Sequence, residues 1–551
     1  MSFALPVAAR APIVEFVVQK STRRAAALLL LAVYVVLSLA LDVRGTLGTD
    51  TGGKLATLAE MDRRSSLVPD VGYWAGQADP EAVAHPLYYT QRFDQGYVNV
   101  TTLPMLLAAR PLDAMGGSRL VLLLPMLGGV LTAVAARRLA VRLGSVRPDV
   151  VFWVVGLASP TLIYSLDVWE HSLGLGLMAL GADAAFGAVE RVAMRWAALS
   201  GVAFGVAATM RTEALLYFAA VAVVFAVVMW RRAPRKTPAA VAALLAGAFA
   251  PLGINEILER ALLGDALRSA RASDTLVAGG ARVGDRFEEG LRTLVGLNLA
   301  DHDIVIGAVL AGLLVAAATG VTRSLPRVVN VALLGASLLL IVRMAAGVGF
   351  VSGMVSAFPI TAFAVAAPTR RLRVVAIAAV SVLPAVWGLQ YLGGAGPQWG
   401  GRYVLFPGLI LAVVGMIALE RAHVVIRRWV VGLTVCVTAF GFVSVAQRTH
   451  DVADTGEQIA ALDDDVVVST EAHLLREVGH EYSRQRRWLT AVGPQARALV
   501  ANLLRDQRPR RFAVITRGDA IEVPIGYVEW SEPLEFLGVD FVVRHYARGP
   551  V

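Results

Sequence analysis

Apolar stretches of about 18 or more residues, each enough to cross about 30 Å of hydrocarbon, recur along this chain with short polar connections between them. They lie near 24–42, 118–138, 149–167, 170–190, 196–212, 213–230, 237–256, 303–321, 328–347, 350–368, 372–391, 403–420 and 429–446. The pattern predicts a mainly α protein, a polytopic transmembrane helical bundle of about 13 spans. Basic residues fall in every second connection. They are Arg137, Arg138, Arg142 and Arg147, then Arg191 and Arg195, then RRAPRK at 231–236. Further on come Arg323 and Arg327, RRLR at 370–373, and Arg421 with Arg427 and Arg428. Cationic connections stay on the cytoplasmic side. The N-terminal segment 1–23, with Lys20 and Arg23, is therefore expected in the cytoplasm and the tail outside. SLA at 38–40 has the look of a signal-peptide cleavage site, but the apolar run is long for one and many spans follow, so an uncleaved helix is expected.

The remaining connections then face outward: the long loop 43–117, the turns near 167–171 and 211–213, and the loops 257–302 and 392–402. Residues 101–112, TTLPMLLAARPL, are too short to span and read as a helix lying in the outer interface. Residues 53–64 read as another, with Leu55, Leu58 and Met61 spaced three apart on one face. After 446 the pattern changes. DDDVVVSTEAHLLREV reads as a strand then a helix, RRWLTAVGPQARALVANLLRDQ repeats the pairing, and RRFAVIT, IEVPIGYVEW and FVVRHY read as further strands. This predicts a bundle over 24–446 and a small extracytoplasmic α/β domain over 447–551. The tail has no glycine-rich phosphate loop and is not read as nucleotide-binding.

Composition agrees with the membrane reading. Hydrophobic residues make up 56% of the 551 positions and charged ones only 17%, with a mean hydropathy of +0.62. The net charge of +9 sits in the short loops, as orientation requires, and gives no basis for a nucleic-acid partner. The single cysteine, Cys436, excludes an intrachain disulfide framework and is expected to pack in its helix.

The chemistry gathers on the outward connections. Asp50 follows the first span, in GTDTGGK. SLDVWEHSLG brings Asp167, Glu170 and His171 to one turn, and TMRTEAL brings Arg211 and Glu213 to another. QWGGRYVLFPG carries Trp399, Arg402 and Tyr403. A carboxylate can take a proton from a hydroxyl, and an arginine fork can hold a phosphate.

In their order and topology these segments resemble the GT-C superfamily of membrane glycosyltransferases, near the protein O-mannosyltransferases and the lipid A aminoarabinose transferases. The resemblance covers roughly 24–420. It rests on an acid soon after the first span (Asp50), a turn of the WEHSLG type, the glycine-rich GVAFGVAATMRTEAL and QWGGRYVLFPGLIL. It implies an enzyme of the plasma (inner) membrane that moves a sugar from a polyprenyl-phosphate donor to an acceptor hydroxyl outside the cytoplasm, usually with inversion. The acceptor would be a glycan, a lipid or a protein, and a mannosyltransferase-like activity falls within the branch. Asp50 would be the general base, with Arg211 and Arg402 holding the carrier phosphate. Many relatives carry a D-E pair where this chain has Asp50 and Thr51, so either Glu170 supplies the second acid or none is needed. Relatives divide between those that use a divalent cation and those that do not, so the metal stays open.

Each candidate also has a plainer reading. Asp50 could cap a helix, and Asp42 is its rival as base. Glu170 and His171 could simply pin their turn. Arg211 could snorkel to headgroups, and Arg343, near the end of its span, could meet an acid or a phosphate. Tyr89 and its aromatic neighbours Tyr73, Trp74, Tyr88 and Phe93 either stack on a sugar or anchor in the interface. Asp-His-Asp at 301–303 has metal-ligand residue types, but adjacent residues do not converge on one ion. As whole-protein alternatives stand a transporter or flippase of lipid-linked saccharides and a non-catalytic envelope scaffold. The transporter would need polar mid-span positions, where this chain has mostly Ala, Val, Leu and Gly.

Overall fold

The computed structural model describes residues 13–46, 48–99, 101–267, 283–299, 302–390, 398–479, 487–518, 521–531, 534–535 and 541–549. Asp301, most of the 392–402 loop and the first 12 residues lie outside the described residues. Among the described residues, nine helices are long and apolar enough to cross a membrane. They are Leu123–Leu143, His171–Arg191, Ala214–Arg232, Pro234–Leu263, Asp303–Thr322, Pro326–Ala345, Arg370–Leu389, Arg402–Leu419 and Val424–Ala460. The expected first span, 24–42, falls largely in the Ile13–Ser38 helix, and Met194–Met210 is a shorter, 17-residue helix.

Two expected spans are instead broken. The stretch 149–167 forms Pro148–Leu157 and Pro160–Ser165; the stretch 350–368 forms Met354–Ala357 and the 3-10 helix Pro359–Ala366. Proline explains both breaks, because it lacks an N–H and bars its predecessor from helical backbone. Ser159, before Pro160, is extended at φ −151°, and Phe358, before Pro359, is non-helical at φ −138° and ψ 71°. Such breaks survive at membrane depth only where protein covers the freed polar groups. Here Ser159 Oγ accepts from the Thr161 N–H at 3.1 Å, and Tyr34 donates to the Gly156 carbonyl at 2.7 Å.

Small residues let the remaining helices approach closely. A side-chain carbon at Gly201 would stand 2.0 Å from the Leu244 carbonyl oxygen, and one at Gly205 2.3 Å from that of Ala248. The glycine-rich segment 201–215 thus packs backbone to backbone on the Thr237–Leu263 helix. Cys436 lies in the Val424–Ala460 helix, but its side chain is exposed rather than packed.

That last helix has 37 residues, about 55 Å at 1.5 Å per residue. It is therefore much longer than a hydrocarbon core, and its final turns carry Val452 and Ile459 into the core of a sheet domain. The sheet contains β3 (Val466–Ser469), β4 (Arg487–Thr490), β5 (Arg511–Thr516), β6 (Tyr527–Glu529), β7 (Leu534–Glu535) and β8 (Val542–Arg548). Its order is β4-β3-β5-β8-β6, with β7 also on β8. β3 is parallel to β4 and β5, and β8 is antiparallel to β5 and β6. Alternation along β3 and β5 buries both faces. Val466, Val468, Phe512 and Val514 pack on the Gly493–Gln507 helix, while Val467, Ala513 and Ile515 face the bundle side.

The loop 43–117 is built into this domain as well as into the bundle. It holds a hairpin of β1 (Thr90–Phe93) and β2 (Gly96–Asn99). Trp74 donates to the Trp488 carbonyl at 3.0 Å, and the Thr490 N–H to the Ala84 carbonyl at 2.9 Å. Residues expected to form an interfacial helix at 101–112 belong to the helix Leu103–Val121, which bends at Gly116 and Gly117. The other expected interfacial helix is Thr49–Arg63. It does not lie with one face bare: Thr51 through Leu58 are all buried. Leu55 and Leu58 join the bundle core and Ala56 joins the core of the sheet domain.

The two glycines of TGGK make this sandwich possible. A side-chain carbon at Gly52 would stand 1.7 Å from the Arg476 carbonyl oxygen, and one at Gly479 1.9 Å from that of Gly52. Replacing Gly52 with Val is expected to destabilise the seated domain by about 3 kcal/mol or more. It should lower the melting temperature and speed proteolytic release of a C-terminal fragment. Gly253→Ala, where an added carbon meets nothing within 4 Å, is the control. A Gly52→Val protein that melts and resists protease like wild type would disprove the close approach.

Candidate active site

At one end of the bundle, charged side chains from five segments meet beneath the sheet domain. Asp50 lies in the first turn of the Thr49–Arg63 helix, where the exposed backbone N–H groups favour an anion. It does not cap that helix, since Gly48 holds the N-cap position. Its Oδ1 meets Arg476 Nη2 at 3.1 Å and its Oδ2 meets Arg402 Nη1 at 3.6 Å. One turn further along the same helix, Lys54 Nζ meets Glu170 Oε2 at 2.6 Å. Glu170 Oε1 lies 3.6 Å from Arg211, and Arg211 pairs with Glu213 at 2.7 Å. Thr51 donates to Asp167 Oδ2 at 2.8 Å. The connections at 167–171, 211–213 and 398–404 are thereby tied to the Asp50 helix through charge.

Nearly all of this is shut away from water. The side chains of Lys54, Glu170, Arg211, Glu213 and Arg476 are each 6% exposed or less, whereas that of Asp50 is 36% exposed. Asp50 is thus the most accessible acid of the cluster. Burial works to raise its pKa, but the fields of Arg476, Arg402, Lys54 and Arg211 outweigh burial and hold it well below the usual carboxylate range.

Tyr403 lies between two of the cations. The Arg402 and Arg211 guanidiniums stand 4.7 and 5.2 Å from its ring centre, and Arg402 Nη2 donates to its hydroxyl at 2.9 Å. A small crevice is lined by His171, Arg211, Glu213, Tyr217, Arg402 and Tyr403, with Leu405 and Phe406 on its apolar side. His171 stacks on Tyr164 at 4.8 Å, and among the described residues neither of its ring nitrogens has a hydrogen-bond partner. Among the described residues, Arg402 Nε and Glu213 Oε2, which line the same crevice, are likewise buried without one, as is Arg476 Nε beyond its lining. Buried polar atoms are almost always satisfied, so a group of them around one crevice marks a place built for a polar ligand. Tyr89 stands at the rim, partly exposed, 5.2 Å from the Arg476 guanidinium and beside Tyr88 and His473.

Other expected residues are used elsewhere. Arg343 spends its donors on backbone carbonyls, those of Leu297, Gly347 (2.9 Å) and Phe350 (3.1 Å), and so holds a loop rather than an acid or a phosphate. Trp399 is 1% exposed and packs against Phe440 and Gly441, while its carbonyl accepts from Tyr164. Asp42 pairs with Arg44 at 2.6 Å. Asp303 accepts the Leu299 N–H at 3.3 Å and pairs with Arg292 at 3.6 Å. Among the described residues, no group of three or more His, Cys, Asp or Glu side chains is placed to hold a metal ion.

Two cations of the cluster are absent from the sequence reading of the site. Lys54 carried a signal: it is one of three lysines in the chain, and its spacing of four from Asp50 puts both on one helix face. Arg476 carried none, because LLREV reads as an ordinary amphipathic turn.

No protein-family model matches the chain, and no curated protein sequence does. Among solved structures, ArnT from Cupriavidus metallidurans in the apo state is similar over 89% of this chain and 92% of that one, at 12% identity and a TM-score of 0.47. ArnT from the same organism bound to undecaprenyl phosphate is similar over 94% and 97%, at 15% identity and a TM-score of 0.45.

The buried Lys54–Glu170 pair makes a stability test. Lys54→Met removes the nearer of the two cations that meet a buried carboxylate, leaving Arg211 at 3.6 Å, and should cost about 3 kcal/mol. The double variant Lys54→Met, Glu170→Gln should recover part of that loss in thermal or denaturant unfolding. Equal losses in the single and double variants would refute the pairing as a source of stability.

Proposed function

We propose that this chain is a GT-C-type glycosyltransferase that moves a sugar from a polyprenyl-phosphate donor to an acceptor hydroxyl, on the side of the membrane that carries the sheet domain. One observation above all supports this reading: a single half-open carboxylate, Asp50, stands among four cations, Lys54, Arg211, Arg402 and Arg476. An acceptor hydroxyl needs a base, and a departing phosphate needs positive charge. This cluster offers both within one enclosure. The order of sequence motifs leads to the same reaction class independently.

In the proposed reaction the acceptor oxygen attacks the anomeric carbon as its proton passes to Asp50. The bond from that carbon to the phosphate oxygen breaks, with inversion, and polyprenyl phosphate leaves carrying one further negative charge. Arg402 and Arg211 offset that charge, while Lys54 keeps Glu170 ionised and paired. Tyr403 and Tyr89 contribute flat faces suited to a sugar. The carrier's prenyl chain would follow the crevice toward Leu405 and Phe406 between the spans.

The orientation proposed is cytoplasmic for the N-terminus and extracytoplasmic for the Asp50 cluster and for residues 447–551. The arginine-rich connections support it: Arg138 and Arg142, which pair with the buried Asp183 at 2.6 and 2.5 Å, belong to the opposite set of connections from Asp50. A glycan, lipid or protein acceptor would meet the enzyme at the rim of the sheet domain.

The test is donor turnover by purified protein, read as release of free polyprenyl phosphate from a panel of polyprenyl-phosphate sugars. Asp50→Asn should lower kcat by roughly 10²–10⁴ with donor still bound, the loss expected for a general base. Because its pKa is held down, Asp50 stays ionised through mildly acidic pH. The acid limb of kcat/KM should therefore lie below about pH 4, the ordinary carboxylate value. Wild type that binds lipid-linked saccharide and consumes none would favour a transporter instead.

A further inference from the structure

We propose that Arg476, carried by the C-terminal sheet domain, holds the phosphate of the lipid carrier together with Arg402, and that Asp50 fills this two-arginine fork only until the phosphate arrives. The inference rests on the donor reading above and extends the site beyond the membrane bundle.

The geometry is that of an anion clamp occupied by the protein's own acid. Two guanidiniums from different domains converge on the two oxygens of one carboxylate, at 3.1 Å from Arg476 and 3.6 Å from Arg402. A phosphoryl group presents a similar pair of oxygens to such a fork, with more charge. Arg402 also lines the crevice between the spans, so the fork opens onto the path proposed for the prenyl chain. Among the described residues both Nε atoms are buried and unpartnered, which leaves each guanidinium a donor that Asp50 does not use.

Arg476 is also held where a ligand residue would need to be. Its side chain is 2% exposed. Its guanidinium stands 5.2 Å from the Tyr89 ring, and the missing side chain at Gly53 leaves room for its Nε, 3.2 Å from where a Cβ would stand. Its own carbonyl lies against Gly52, so the residue is gripped at both ends. Burial pulls the Arg476 pKa below the ordinary arginine value and Asp50 only partly restores it, the mark of a cation short of counter-charge.

The exchange has a consequence for the base. While both arginines grip Asp50, their fields make it a poor proton acceptor. Once the phosphate takes the fork, that pull is neutralised, and Asp50 gains basicity only in the donor complex. Among the described residues, Lys54, Arg211, Glu170 and His473 are the other titratable or charged groups coupled to Asp50.

The test uses the full-length protein in detergent or lipid nanodiscs, with sugar-free undecaprenyl phosphate as the probe and inorganic phosphate as competitor. Arg476→Gln should weaken undecaprenyl phosphate binding by about tenfold or more, the value of a charged hydrogen bond, and Arg476→Lys should recover part of it. Asp50→Asn should do the opposite and bind as tightly as wild type or more so, because it frees both arginines. Inorganic phosphate should compete only at far higher concentration than the lipid. If Arg476→Gln lacks the wild-type melting transition, the direction of the Asp50→Asn change decides by itself. Arg476→Gln binding like wild type, or Asp50→Asn weakened to the same degree, would leave Arg476 a structural partner of Asp50 and overturn the proposal. Inorganic phosphate competing as well as the lipid would overturn the assignment to the carrier. Wild type that binds no undecaprenyl phosphate would remove the donor reading itself, and this inference with it.

Discussion

Charges taken out of water must be paired, and at the Asp50 end of this protein the partners come from opposite domains. Lys54 and Glu170 are both buried, 2.6 Å apart, on segments separated by more than a hundred residues. Asp50 is shared between Arg402 of the bundle and Arg476 of the sheet domain. An unpaired charge at such depth costs several kcal/mol. The cluster therefore ties the long first loop, three short turns and the C-terminal domain into one arrangement. Position follows from electrostatics here as much as from apolar packing.

That arrangement needs the backbones to come close. Gly52 and Gly479 supply the contact on which the sheet domain seats, and the 37-residue final helix carries the chain out of the bundle to reach it. Loop 43–117 then closes over the far side of the sheet through Trp74 and Ala84. Bundle, first loop and tail are three intervals of sequence but share their cores: the Thr49–Arg63 helix gives Leu58 to one and Ala56 to the other.

The unsatisfied atoms link structure to chemistry. Among the described residues, His171, Arg402 and Glu213 each keep a buried polar atom without a partner around one crevice, and Arg476 keeps another beside Asp50. A fold that only needed stability would satisfy or remove such groups. Tolerating them beside a half-open acid fits the proposed site for an anionic, hydroxyl-bearing ligand. Elsewhere the same kinds of residue are fully used, as with Arg343 on its three carbonyls.

The sequence alone determined what depends on local pattern. Apolar length marked the spans, short continuous apolar runs marked β3 and β5, and acids and arginines placed at the ends of spans marked the connections that meet. These follow from the thickness of hydrocarbon and the short length of a buried strand, which act on neighbours in the chain. The broken segments at Pro160 and Pro359 were less legible, since hydropathy averages over the proline that stops the helix. Only the tertiary structure decided that TGGK is a contact surface as well as a loop, that Trp399 packs rather than faces the crevice, and that Arg476 belongs with Asp50. Those outcomes depend on the distance between groups 426 positions apart, and no local period or propensity encodes such a distance. The close approach at Gly52 sets it.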